Sequence, residues 1–104
     1  MSKTDYNQHL VKALPESANT DHIIVEASVV SFKIQDGPVK ENGRNGCDAT
    51  DIIRYAIGLY HSFNSAHPCR ENSLTITKLE EALHWQESRT RDREARGVEG
   101  ESKN

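Results

Sequence analysis

Apolar residues recur along the chain with two different periods. Between positions 23 and 34 β-branched residues are frequent, and apolar and polar residues alternate towards the end of the segment, which is the pattern of a half-buried strand. The following stretch, QDGPVKENGRNG (35–46), is rich in glycine and predicts a tight turn, a brief returning strand around Val39 and Lys40, and a second turn. The sequence therefore predicts a small antiparallel β-ribbon.

A helical period governs the second half of the chain. Asp48 or Thr50 can cap a helix that runs from position 51 to about 65, where a His-Pro pair ends it. A second helix is predicted from position 70 to 96, with Gly97 as its stop. Because the link between the two helices is short, they should form an antiparallel hairpin.

The first predicted helix is apolar on two sides. Its apolar residues form two separate stripes along the helix: Ile52, Ala56, Leu59 and Phe63 in one, and Ile53, Ile57 and Tyr60 in the other. A single partner helix covers only one such stripe. We therefore expect an α+β protomer, with the β-ribbon before the helical hairpin, that associates into an even-numbered oligomer.

The chain divides into four segments. These are a polar amino-terminal arm (1–21), a β-ribbon region (22–47), the helical hairpin (48–100) and a short tail (101–104). The arm has few apolar residues and is expected to have little structure of its own. At 104 residues the whole chain forms one small domain, for which association with further copies is a natural way to enlarge the core.

Composition excludes several classes of function. Sixteen acidic residues outnumber thirteen lysines and arginines, which disfavours general coating of DNA or RNA. The sequence has no run of apolar residues as long as a membrane span and no signal-peptide core, so it reads as intracellular. Cys47 and Cys69 are then expected to be free thiols. They lack the paired spacing of a zinc site, and no sequence motif of a catalytic nucleophile or phosphate loop is present.

Four arginines lie within eight residues near the end of the second helix. Helical geometry places Arg89, Arg93 and Arg96 on one stripe near Trp85, whereas Arg91 points to the other side. The three can simply stabilise the negative end of the helix dipole. Alternatively, they can bind phosphate through paired hydrogen bonds while the indole stacks on a base, in a site that a neighbouring copy closes.

Two stretches carry a family resemblance. DGPVKENGRNGC (36–47), and CRENSLTITKLEEALHW followed by RTRDREARGVEG (69–100), resemble the signature of small phage proteins, the Thoeris anti-defence sponges of the first type. Their helical hairpin is shared with anti-CBASS sponges of the second type. The resemblance spans about 23–100. It departs from the family pattern after Gly100, where ESKN stands in place of an expected threonine.

The resemblance implies a phage- or prophage-encoded protein that acts in the host bacterial cytoplasm. Such a protein binds immune signalling nucleotides and withholds them from their effectors without cleaving them. The implied ligands are glyco-cyclic ADP-ribose isomers, with cyclic di- and trinucleotides as additional or alternative guests. Dimers that assemble into hexamers, with pockets between protomers, are also implied, whereas an enzymatic activity and a cofactor are not.

The resemblance also assigns individual roles. By analogy Phe63 stacks on a base, Asn72 hydrogen-bonds the ligand and Arg89 meets phosphate. Further candidate ligand residues are Lys40, Arg93 and Arg96. Two other classes of function stay open: a nucleic-acid-binding regulator, which the acidic net charge disfavours, and an oligomeric adaptor whose arginines only stabilise a helix end.

Overall fold

A computed structural model describes Ala13 and residues 22–97 of the chain. The β-ribbon consists of β1 (Ile23–Glu26) and β2 (Val29–Phe32), which pair antiparallel. One continuous strand was expected here, but the chain reverses at Ala27, whose φ is 52°. A left-handed turn position usually carries glycine, asparagine or aspartate, so an alanine gives no turn signal in the sequence.

The prediction of a returning strand around Val39 and Lys40 is wrong. This segment forms a single helical turn, α1 (Val39–Asn42). Pro38 precedes it, and the carbonyl of Pro38 accepts a hydrogen bond from the backbone N–H of Asn42 at 2.9 Å. Gly43, with a φ of 73°, ends the turn. A proline before and a glycine after a segment is a helix signature, which here outweighs the strand preference of the valine.

The first long helix, α2 (Ala49–Ala66), confirms the predicted element and begins two residues earlier than expected. Asp48 occupies the N-cap position, and its backbone N–H donates to the Asp51 carboxylate at 2.9 Å. At the other end the N–H of His67 donates to the Phe63 carbonyl at 2.8 Å. Proline follows directly, and the helix stops there.

The second long helix, α3 (Arg70–Ala95), runs antiparallel to α2 and packs along it, as predicted. Cys69 is its N-cap, and Gly97, with a φ of 74°, lies just beyond its end. Ile76 is buried on the face towards α2. Among the described residues no helix is both long and apolar enough to span a membrane.

The hydrophobic core lies between the ribbon and α2. Its buried members are Ala13, Ile23, Cys47 and Tyr55. The Tyr55 ring meets Phe32 of β2 edge to face, with ring centroids 5.5 Å apart. Sequence reasoning missed Tyr55, because periodicity marks apolar stripes and not the side of a helix that a ribbon will cover.

The β-ribbon weakens the argument that the two apolar stripes of α2 require a second copy of the chain. Leu59, from the first stripe, packs against the core within the same chain. Ile52 and Phe63, at the two ends of that stripe, stay exposed at 37% and 46%. Self-association therefore does not follow from the stripes alone.

The amino-terminal arm was expected to have little structure. Of the arm (1–21) the structure describes Ala13 alone, which is 2% exposed. The other positions to which the expectation applies lie outside the described residues. The backbone of Ala13 passes so close to Gly58 in α2 that an added Cβ would lie 2.4 Å from its carbonyl oxygen. Glycine in mid-helix costs conformational entropy, and here it permits this close approach.

Candidate functional site

The loop between the ribbon and α2 (35–46), whose two acidic and two basic residues balance, is closed by one side chain. The Gln35 amide oxygen accepts hydrogen bonds from the backbone N–H groups of Asn45 at 2.9 Å and Gly46 at 3.1 Å. Its amide nitrogen donates to the carbonyls of Gly43 at 2.8 Å and Gly37 at 3.0 Å. Four bonds from one glutamine hold the two arms of the loop together.

A second amide repeats this arrangement. The Asn45 side chain accepts from the backbone N–H of Asp36 at 2.8 Å and donates to its carbonyl at 2.9 Å. Arg44, next in the loop, donates to the Gly46 carbonyl at 3.1 Å. Lys40 is exposed on α1, in the middle of the loop. These hydrogen bonds hold the loop in one conformation, and the loop carries the two cationic side chains of Lys40 and Arg44.

A cleft of about 430 Å³ opens between the start of α2 and the final turns of α3. Its walls carry three guanidinium groups, three carboxylates and two hydroxyls: Arg44, Asp48, Thr50, Arg54, Glu87, Thr90, Arg91 and Glu94. Such a lining offers donors to phosphate oxygens and acceptors to hydroxyl and amino groups. We name it the open-end cleft.

Ion pairs use two of the three cations. Arg44 lies 3.2 Å from the Asp48 carboxylate, and Arg54 lies 3.4 Å from Asp51. Within the described part of the chain Arg91 makes no hydrogen bond or ion pair. Its guanidinium is therefore the cation of the open-end cleft that a ligand would meet without breaking an existing pair.

The structure separates the arginines of α3 as the helical period predicts. Arg91 lines the open-end cleft, whereas the other three do not. Arg89 and Arg96 are exposed, and Arg96 is bonded to Asp92 at 3.0 Å. Arg93 is 4% exposed. Of the three-arginine stripe, Arg89 is the member that is both exposed and outside an ion pair in the described residues.

The remaining candidates lie at the other end of the hairpin. Phe63 is in the last turn of α2 and is half exposed. Asn72 is in the first turn of α3 and is half-buried. We call this pair of positions the turn end. Asn72 and Arg89 are about five helical turns apart, about 25 Å along α3. A single copy therefore divides the candidate residues between two places.

Sequence reasoning missed most of the open-end cleft, although α3 carries a signal for it. Ile76 and Leu83 lie on the face towards α2, and the same stripe continues with Glu87, Thr90 and Glu94. An inner face that changes from apolar to polar leaves space that apolar packing does not close. The change from apolar to polar residues along this face of α3 marks where the cleft begins.

The two cysteines occupy contrasting places. Cys47 is completely buried in the core and Cys69 is exposed, and both are free thiols. Burial, reinforced by the nearby Asp51 carboxylate, raises the pKa of the Cys47 thiol. Within residues 22–97 and at Ala13, no cluster of three or more metal-ligating side chains is found.

Comparison with known proteins adds two findings. Residues 26–91 match the family described as Acb2/Tad1, hairpin domain. Over 74 residues the chain is 50% identical to Thoeris anti-defense 1 of Bacillus phage SBSphiJ7. That match covers 70% of this chain and 51% of the relative, so the chain spans about half the length of the relative.

The family match includes four of the candidate residues. Lys40, Phe63, Asn72 and Arg89 lie inside the matched range, and the remaining two arginines of the stripe lie beyond it. The match starts in β1 and covers α2 completely and α3 as far as Arg91. The resemblance seen in the sequence is thus confirmed, and the chain belongs to the Acb2/Tad1 hairpin-domain family.

Proposed function

We propose that this chain is a phage anti-defence protein that works in the cytoplasm of the infected bacterium. It binds cyclic nucleotides of host immune signalling and withholds them from their effectors without degrading them. Thoeris immunity is its first target, and CBASS immunity is a second. One observation carries the proposal: the family match runs through both helices of the hairpin, and the similar phage protein bears the name Thoeris anti-defense.

The chemistry of the candidate residues supports a nucleotide ligand. A half-exposed phenylalanine such as Phe63 can stack on a base, and the Asn72 amide can both donate and accept hydrogen bonds at the ligand. Arg89 carries an exposed planar guanidinium that can bind two phosphate oxygens together. Lys40 and Arg96 supply additional charge at the surface. Arg93 is the weakest candidate, because it is 4% exposed.

The separation of these residues supports a site shared between copies. Pockets for small ligands have volumes of roughly 300 to 1,000 Å³, so they are about 8 to 12 Å across. The distance of about 25 Å between Asn72 and Arg89 in α3 exceeds that width. We propose that Phe63 and Asn72 of one copy face Arg89 of another, in dimers that assemble into a hexamer.

Calorimetry with a panel of nucleotides tests the proposal. The panel contains a glyco-cyclic ADP-ribose isomer, a cyclic dinucleotide, a cyclic trinucleotide and linear ADP-ribose as the control. We expect the cyclic ADP-ribose isomer to bind and the linear compound to bind weakly or not at all. Failure of every cyclic nucleotide to bind would overturn the proposal.

The fate of the ligand separates sequestration from catalysis. After incubation the protein is denatured, and the released nucleotide is measured by chromatography. Sequestration predicts complete recovery of the unchanged cyclic compound. Loss of the input nucleotide in parallel with the appearance of a product would identify an enzyme instead.

An oligomeric adaptor is the second candidate function, because the otherwise polar α3 exposes two large apolar side chains. Leu74 and Trp85 are 49% and 64% exposed on this long helix. Exposed large apolar side chains favour a protein contact. The adaptor function predicts oligomers that bind no nucleotide, which the same calorimetric panel detects.

A further inference from the structure

We propose that Asn64 is a positioning residue that holds the turn end in its ligand-binding geometry. This inference rests on the proposed function, since it concerns the site formed by Phe63 and Asn72. It adds a residue that contacts no ligand itself and acts by fixing the two that do. Ser73 and Cys69 are the partners through which it acts.

One side chain connects the two helices at the turn. The Asn64 amide oxygen accepts a hydrogen bond from the backbone N–H of Cys69 at 3.1 Å. Its amide nitrogen donates to the Ser73 hydroxyl at 3.3 Å. The last turn of α2 is thereby tied to both the N-cap and the first turn of α3.

These bonds lie next to the proposed ligand residues. Phe63 directly precedes Asn64, and Asn72 directly precedes Ser73. The Cys69 sulfur, whose own N–H is held by Asn64, accepts a hydrogen bond from the backbone N–H of Asn72 at 3.4 Å. The bridge, by which we mean the hydrogen bonds of Asn64 to Cys69 and Ser73, therefore fixes the backbone of both ligand residues relative to each other.

If Asn64 only stabilised the fold, its removal would lower the stability of the protein, whereas a positioning role lowers its affinity for the ligand. The fold is held by the buried core around Tyr55 and by the buried Ile76 of α3, whereas the bridge lies at the exposed turn. Removing the bridge should therefore leave the fold intact and loosen the turn. Binding sites are sensitive to such displacements, because their groups must be held within about 0.5 Å.

The test measures binding of a glyco-cyclic ADP-ribose isomer by calorimetry and the melting temperature in parallel. Asn64→Ala should weaken binding about three- to tenfold, because it removes both hydrogen bonds that align the site but no contact to the ligand itself. Asn64→Asp should restore most of the affinity, because a carboxylate oxygen accepts from both the Cys69 N–H and the Ser73 hydroxyl. Ser65→Ala, an exposed neighbour in the same turn, is the matched control and should bind like the wild type.

Ser73→Ala removes one bond of the bridge and decides the question if Asn64→Ala does not fold. It should weaken binding less than Asn64→Ala, and the double variant should bind like Asn64→Ala alone, because both changes break one bridge. Wild-type affinity in both single variants would overturn the positioning role while leaving the proposed function standing. Absence of binding by the wild-type protein would overturn both.

Discussion

The two ends of the helical hairpin are held together by different forces. At the open end, where α2 begins and α3 ends, an apolar core anchors α2 to the ribbon through Tyr55 and Cys47. Charged residues line the open-end cleft beside this core. At the turn end the connection is polar, and Asn64 ties the helices through an amide bridge. Apolar burial therefore fixes α2 against the ribbon at the open end, whereas directed hydrogen bonds connect the helices at the turn end.

This difference matches the two halves of a nucleotide. A base needs a flat apolar surface and a few directed hydrogen bonds, which Phe63 and Asn72 can supply at the turn end. Phosphates need fixed positive charge, which in our proposal Arg89 supplies towards the open end. Since one copy holds these groups far apart, two copies placed head to tail would bring complementary ends together.

Removing the anchor of the open end should have the largest effect on stability. Tyr55→Ala deletes a buried ring that packs against Phe32, and such truncations cost about 3 to 5 kcal/mol. Unfolding in urea measures the loss. Trp85→Ala is the aromatic control, because Trp85 is 64% exposed. Equal losses for the two variants would mean that the ribbon does not anchor α2.

The arginines of α3 should differ in their effect on binding. Arg89→Ala should weaken nucleotide binding by about 1.5 to 3 kcal/mol, roughly ten- to a hundredfold. Arg91→Ala should weaken it much less, because Arg91 faces the open-end cleft. Arg89→Lys should also lose affinity, because an ammonium lacks the planar fork of a guanidinium.

Melting temperatures of the three variants serve as the control for this prediction. If the arginines only stabilise the end of the helix, both alanine variants should lose a few tenths of a kcal/mol in stability. Their affinities for nucleotide would then be equal to that of the wild type. A larger loss of affinity with Arg91→Ala would instead place the phosphate in the open-end cleft.

The two thiols should report on the two ends separately. Cys69 is exposed at the turn end and should react with a thiol reagent in the native protein. Cys47 is fully buried and should react only after unfolding. Mass spectrometry of the labelled protein distinguishes the two sites. Rapid native labelling of Cys47 would show that the core at the open end opens easily.

The pH dependence of stability follows from the same burial. The pKa of Cys47 is raised, first by burial and then by Asp51. Above its ordinary pKa the unfolded thiol ionises while the folded thiol stays protonated, so unfolding becomes easier as pH rises. We expect the stability of the wild type to fall more steeply than that of Cys47→Ala between about pH 8 and 10. Parallel curves would contradict this.

The smallest effect should come from the ion pair at the edge of the open-end cleft. Arg44 and Asp48 are 3.2 Å apart, and their side chains are 39% and 50% exposed. Exposed pairs of this kind contribute about 0.2 to 1 kcal/mol. A double-mutant cycle of Arg44→Ala with Asp48→Asn, which keeps a capping residue at position 48, measures the coupling. A coupling energy well above this range would show that the pair organises the cleft.

The sequence predicted the parts of the fold that depend on local signals. Both long helices have a cap, a periodic stripe and a stop such as Gly97, so their bounds followed to within about two residues. An antiparallel ribbon was predicted and is present, but its turn was not located, because the turn is built on Ala27 and lacks a typical turn residue. Tyr55 and the open-end cleft also escaped, since both depend on which elements pack together.

Phe63 and Asn72 became candidates through the resemblance, whereas the stripe of Arg89, Arg93 and Arg96 also followed from helical spacing. Helical spacing correctly separated Arg91 from Arg89, because that depends on one helix alone. The burial of Arg93 at 4% exposure depends on packing. The contact of Asn64 with Ser73 requires knowledge of how α2 and α3 align at the turn. Neither could be read from the sequence pattern.

Mixing two defective variants tests the central claim, a ligand held between copies, most directly. Pure Phe63→Ala and pure Arg89→Ala should each bind too weakly to fill their sites at a ligand concentration that saturates the wild type. In a two-fold symmetric dimer that combines them, one of the two sites has both residues intact. After the variants are unfolded together and refolded at equal amounts, about a quarter of the wild-type sites should return by random pairing. Calorimetry with a glyco-cyclic ADP-ribose isomer counts these sites, and recovery of none would contradict the account.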